Sequence, residues 1–343
     1  MKHLHKIAFF PLFAALLLAA CDRNRHTPDP DTQKAPISFA AMSQNIPVKA
    51  GETALSSIHQ NFGIWGYATR EGQMDYLIWE QNYMSPVTYN GSSFYPDTYA
   101  FWLSGYDYNF IAIAPYTDGA KKLSDFQVGA GKDALTFAYD MSDIYSPSEE
   151  GAASKPGIDL MASIAKAHVD KAASQGVQDL TFHRLTSRID IKVKFQSDEG
   201  NDIFESTSVT GMRLERVGGD ASYSISYSSE GDIAINCAIG ETSDSEIPLT
   251  LTEPDPEGWR TVTAYILPQS VTNFKLYMDF KLGDVAYENF PITPTFPAGD
   301  TNYGINQWHT WKITLTPSLF VLFETSVTDW GDGGQADDEI GFN

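Results

Sequence analysis

Between residues 187 and 195 the chain alternates without a break. Ile189, Ile191, Val193 and Phe195 fall on one face, and Arg188, Asp190, Lys192 and Lys194 on the other. A period of two with one apolar face predicts a half-buried antiparallel strand. Shorter runs of the same kind recur after residue 177: 177–182, 209–213, 221–227, 233–238, 247–251, 262–267, 273–282, 287–292, 310–315 and 320–327. Strands at such spacing, separated by turn signals, predict sandwiches or barrels. The first half carries fewer but more apolar runs, at 37–41, 58–69, 76–79, 84–89, 94–96, 107–114 and 135–139. Asn90-Gly91 between two of them is a hairpin signal. Residues 159–174 read differently. Leu160, Ile164 and Val169 among alanines fit one face of a helix, with Gly176 able to stop it.

The expected fold is therefore mainly β, with two β-sandwich-like domains and one short helix near their junction. The natural break lies near residue 176, which gives domains at 36–176 and 177–343, each of ordinary size. Residues 21–35 are polar and contain Pro28 and Pro30. They read as a flexible tether.

Ahead of the tether stands an export signal. Lys2 and Lys6 precede an apolar run over residues 8–20, and Leu18-Ala19-Ala20-Cys21 closes it. Basic, apolar and small-residue regions in that order make a secretory signal at residues 1–20. The run is shorter than the roughly 20 residues that span a bilayer. A Cys directly after the small residues is the bacterial lipobox pattern, so Cys21 is the expected lipidated first residue of the mature chain. Several acyl chains would anchor it firmly, where one holds weakly.

The formal net charge is −21, and losing Lys2 and Lys6 with the signal takes it to −23. That excludes a nucleic-acid partner of the ordinary kind, which needs a basic face. With Cys21 lipidated, Cys237 is left alone and no intrachain disulfide can form. Of seven His, four lie beyond the tether: His59, His168, His183 and His309. None forms a metal-binding spacing, and phosphate-loop, dinucleotide and serine-elbow motifs are not present. The loop Asp329-Trp330-Gly331-Asp332 lacks the ligand spacing of a calcium loop. The reading is of a protein with no catalytic residues, no metal and no cofactor.

Several segments, taken together, resemble the fimbrillin family of bacterial surface subunits. They are Tyr99-Ala100-Phe101-Trp102; Phe110-Ile111-Ala112-Ile113-Ala114-Pro115-Tyr116; Asp159-Leu160-Met161 with Leu180-Thr181-Phe182-His183-Arg184-Leu185; Tyr265-Ile266-Leu267-Pro268-Gln269; and Phe296-Pro297-Ala298-Gly299 with Tyr303 and the ending Val327-Thr328-Asp329-Trp330. The resemblance implies two transthyretin-like sandwich domains and export as a lipoprotein to the outer membrane. It also implies polymerisation into a fimbria by strand exchange. A surface protease removes the first strand, and the emptied groove accepts a strand from another subunit.

On this sequence the removable strand is Ile37, Ser38, Phe39, Ala40 and Ala41. Cleavage is expected after Lys49, in the loop that follows. Arg25 and Lys34 precede the strand, and Arg70 ends another. The acidic, Gly-rich tail after Trp330 is a poor donor, so Val321, Phe323 and Val327 mark the candidate donor strand. The implied partners are other fimbrial subunits, the processing protease, the outer membrane through Cys21, and a host or bacterial receptor. The alternative is a surface lipoprotein that stays monomeric and binds a glycan or another ligand through aromatic loops. A secreted hydrolase with paired carboxylates is the third reading.

Overall fold

The structure is a computed structural model. It describes residues 35–43, 53–72, 76–79, 84–146, 154–197, 207–227, 233–240, 244–296, 301–319 and 321–329. Cys21 and Lys49 lie outside the described residues.

The strands in the first part are β1 Phe39–Ser43, β2 Thr53–Ala54, β3 Asn61–Thr69, β4 Tyr76–Leu77, β5 Ser85–Tyr89, β6 Phe94–Pro96, β7 Tyr106–Ala114, β8 Ser124–Val128, β9 Ala134–Asp140, β10 Met161–Val169 and β11 Gln178–Arg184. Those that follow are β12 Ser187–Phe195, β13 Thr207–Gly218, β14 Asp220–Tyr227, β15 Ile233–Ile239, β16 Asp244–Pro248, β17 Arg260–Ile266, β18 Gln269–Ser270, β19 Lys275–Leu282, β20 Val285–Ile292, β21 Asn302–Tyr303, β22 Gln307–Leu315 and β23 Val321–Asp329. One short α-helix, α1, spans Ser142–Tyr145.

The first sheet runs β11-β10-β7-β3-β5-β6-β1, and β11 also pairs with β1. Seven strands thus close on themselves into a small barrel, with β2 and β4 attached at β1 and β3. A closed barrel replaces the sandwich expected here, and closure removes the free edges that an open sheet would expose. The hairpin at Asn90 forms as its sequence predicts. Asn90 Oδ1 accepts from the Ser92 and Ser93 amides, and Gly91 takes a positive φ of 101°.

The helix expected over 159–174 is a strand instead. Residues 161–169 form β10, and α1 lies earlier in the chain. The reason is that its first half, Met161 to Ile164, is buried on both faces; only beyond it do Lys166 and His168 reach the surface. Met161 points into the barrel core, while Ala162 and Ile164 join a second core outside it. A strand between two cores shows no polar–apolar alternation, so its period is hidden. β7 behaves alike: Tyr108, Phe110 and Ala112 line the barrel, and Ile111 and Ile113 face the second core. So does β3, with Phe62 and Ile64 inside and Trp65 outside.

Three four-stranded sheets, β17-β12-β22-β23, β16-β13-β19-β20 and β15-β14-β9-β8, and the two-stranded pair β18-β21 make up the rest of the described strands. Their inward residues share the second core, with Phe195 of β12 against Phe280 of β19 at 5.5 Å. Strands from both sides of residue 176 pair in two sheets, since β11 belongs to the barrel and β9 pairs with β14. The wall β3–β7–β10 is thus common to both cores. The seam β6–β1–β11 lies across the barrel from it.

One buried group makes this fold sensitive to acid. His309 on β22 is buried, its ring stacked on Tyr303. Its Nδ1 has no hydrogen-bond partner among the described residues. Burial pushes the imidazole down to about 3 from 6.5. Between those values the unfolded chain binds the proton and the folded chain does not. The stability is therefore complete above about pH 6.5 and is lost as pH falls toward 3. Asp159 acts in the opposite sense. Burial raises its carboxyl to about 6 against the pull of Arg184, so the folded state takes that proton first. Replacing His309 by Gln removes only the first effect. Between about pH 7 and 4.5 the variant is expected to lose roughly 2–3 kcal/mol less stability than the parent. Denaturant titrations at the two pH values check this, and equal losses contradict it.

Candidate assembly site

The seam is built around β1. On one side β1 pairs with β11 in parallel, Phe39 beside Gln178 through Ser43 beside Phe182. On the other it meets β6 at Phe39 and Phe94, and then β2 at Met42–Ala54 and Ser43–Thr53, both antiparallel. Just before β1 the chain continues extended. The Ile37 amide donates to the Ala100 carbonyl at 2.9 Å, and the Trp102 amide to the Ala35 carbonyl at 3.0 Å. The Gln178 amide donates to the Ser38 carbonyl at 2.9 Å.

Alternation along this strand sets its role. Ile37 and Phe39 are both 0% exposed, and Ala41 is also buried. They enter the barrel core, where Phe39 meets Phe110 edge-on at 5.4 Å and Phe62 at 6.1 Å. Phe62 in turn contacts Phe94 and Phe182. Ala40 and Met42 on the outer face are half-buried. The buried apolar side chains of β1 therefore pack in the barrel; none of its residues belongs to the second core. Five residues hold β11 to β1, while the register with β10 covers only Met161–Arg184 and Ala162–His183. At that end Arg184 Nε donates to Asp159 Oδ2 at 3.1 Å, both side chains buried. The pair pins β11 at its C-terminal end, and losing one partner of such a pair costs about 3–5 kcal/mol. Over the rest of β11 the backbone ladder is with β1, and Phe182 packs on Phe62.

The structure thus brings Ile37, Phe39 and Ala41 together in one core and places Ser38 and Ala40 on the other face. The regular strand begins at Phe39, two residues later than the sequence suggests, and runs to Ser43. Residues 44–52, with Lys49 among them, connect β1 to β2 in sequence. The candidate donor residues lie in β23, far along the chain. Among the described residues β23 is an edge strand paired only with β22. Phe323 packs on Trp311 at 5.6 Å and Phe296 at 6.0 Å, and Val321 is half-buried, whereas Val327 is exposed. Sequence reasoning missed β11 as a partner of β1. The alternation of Leu180 and Phe182 marks a strand, but nothing local encodes a parallel neighbour more than a hundred residues away.

A family model described as fimbrillin-like matches residues 53–330. Among solved structures, a candidate cell adhesion protein of Bacteroides ovatus superposes with a TM-score of 0.52 at 15% identity, covering 87% of this chain and 98% of that one. Another from Bacteroides uniformis gives 0.50 at 16% identity, covering 86% and 98%. The fimbrial anchor protein Mfa2 of Porphyromonas gingivalis gives 0.37 at 9% identity, covering 87% and 98%. No curated protein matches by sequence.

Proposed function

The chain belongs to the fimbrillin-like family, and on that premise we propose that it is an adhesive surface subunit assembled into fimbriae by strand exchange at the β1 seam. The observation that carries the proposal is the position of β1. It closes the barrel, is held from both sides, fills the core with Ile37 and Phe39, and contributes nothing to the second core. A strand so placed can leave without unmaking the rest of the molecule.

Its departure would expose the backbone edges of β11 and β6 and an apolar lining of Phe62, Phe94, Phe110 and Phe182. An incoming strand satisfies both, which is the logic of β-augmentation. In this scheme the chain leaves the cell as a lipoprotein through Cys21 and reaches the outer membrane. A surface protease then cuts after Lys49, releasing the lipid and β1 together. The donor is a strand of another subunit, and β23, with Val321, Phe323 and Val327, is the segment of this chain suited to that role. The partners are then other fimbrial subunits and a surface receptor.

Replacing Lys49 by Ala is expected to abolish the mass loss of residues 21–49 at the cell surface and the laddering on gels that follows. Immunoblotting of surface fractions reads both. Normal processing of the variant would remove Lys49 from the scheme.

A further inference from the structure

We propose that the outward face of the β17–β12–β22–β23 sheet binds an anionic polysaccharide chain. The inference deepens the adhesive part of the proposed function and does not depend on strand exchange.

The registers lay this face out in rows. Tyr265, Arg188 and Trp308 stand abreast, followed by Thr263, Asp190 and Thr310. Next come Thr261, Lys192, Lys312 and Glu324, and then Lys194, Thr314 and Leu322. With Arg188 paired to Asp190, the three lysines on two adjacent strands are a local excess in a chain of net charge −21. Lys192 lies directly opposite Lys312. Like charges in that arrangement are destabilising; Glu324, across from Lys312 on β23, offsets part of the repulsion, and a negatively charged occupant relieves the rest. Lys192, Lys194 and Lys312 enter no ion pair among the described residues.

Asp190 does not neutralise the three lysines, because its oxygens are committed elsewhere. Arg188 grips it with Nε and Nη2, each at 2.9 Å. Thr263 Oγ1 donates to it at 2.7 Å and Trp308 Nε1 at 3.0 Å. This buried clamp fixes the Trp308 ring, over which the Arg188 guanidinium lies at 4.3 Å. At the other end Lys194 Nζ sits 5.6 Å from the Trp259 ring. From Arg188 to Lys194 is about 20 Å of strand. The face is thus a track with an indole at each end, threonine hydroxyls along it and lysines between. Indole rings stack on the apolar faces of sugars, hydroxyls exchange hydrogen bonds with theirs, and ammoniums pair with their acidic groups. An acidic peptide would use the lysines and leave the indoles and threonines idle. The acidic remainder of the molecule repels anions at long range, but screening within about 8 Å at physiological salt confines that field.

The test titrates the full, uncleaved chain with polygalacturonate and with dextran sulfate, which separate carboxylate from sulfate as the recognised group. Neutral dextran and polyglutamate serve as comparisons. Saturable binding to either acidic polysaccharide, weakening as salt rises, is expected. The variant K192S/K194S/K312S should lose at least tenfold in affinity. Its thermal midpoint should hold or rise, since all three side chains face outward. Absence of binding to both acidic polysaccharides overturns the proposal, as does an unchanged triple variant. Polyglutamate binding of equal strength overturns the assignment to saccharide. Because the chain is uncleaved, none of these outcomes depends on whether strand exchange occurs.

Discussion

Replacing Phe39 by Ala should destabilise the barrel by about 3–5 kcal/mol, the cost of truncating a fully buried phenylalanine and leaving the space behind. Phe39 is surrounded on the barrel axis by Phe62 and Phe110, held from two neighbouring strands, so the cavity cannot collapse easily. The strand that carries it is also the seam. The loss should therefore appear as loosening of β1 before the second core melts. Denaturant unfolding followed through the barrel tryptophans Trp79 and Trp102 reads the first effect. Limited proteolysis within residues 44–52 reads the second, as faster cutting in the variant. Ala40→Ser, on the half-buried outer face of the same strand, should change stability by no more than about 0.5 kcal/mol. A loss below about 1 kcal/mol for Phe39→Ala would mean that β1 is not a structural member of the barrel.

A chain that begins at Ala50 is expected to form ladders on gels, and a synthetic peptide of residues 35–43 in excess is expected to suppress them. Removing Ile37 and Phe39 withdraws two large apolar side chains, each worth roughly 1.5–3 kcal/mol of burial. It also frees the five-residue ladder on β11. β11 then keeps its short pairing with β10, the Asp159–Arg184 ion pair and the contact of Phe182 with Phe62. The groove is left intact because β3, β7 and β10 are braced by the second core on their outer faces. The peptide restores the native pairing, so it should compete with donor strands from other chains. A shortened chain that stays monodisperse, with unchanged stability and no uptake of the peptide, would show that the groove does not capture strands.

Much of this architecture is legible in the sequence. The alternation at 187–195 appears as β12 with its lysines outward and its isoleucines inward. The Asn90–Gly91 turn forms as its chemistry dictates. The short apolar run at Ile37 and Phe39 leads into β1, which begins at Phe39, with both side chains inside. What stays hidden has two physical causes. β10 reads as a helix because burial of Met161 to Ile164 on both faces hides the alternation there, and the alanines at 162, 165 and 167 are also good helix formers. Closure of the barrel is hidden because the parallel pairing of β1 with β11 joins distant segments. A register of that kind leaves no mark on either strand alone. The basic face of β12 and β22 is half visible. Lys192 and Lys194 stand out in the alternation, but their juxtaposition with Lys312 and Trp308 needs the parallel register of the two strands.

The most direct test of the removable strand is the N-terminal sequence and intact mass of the protein released from the cell surface. A chain starting at Ala50 and carrying no lipid is expected. A chain starting at acylated Cys21 on every molecule would contradict it, because β1 would still be in place and the seam still closed.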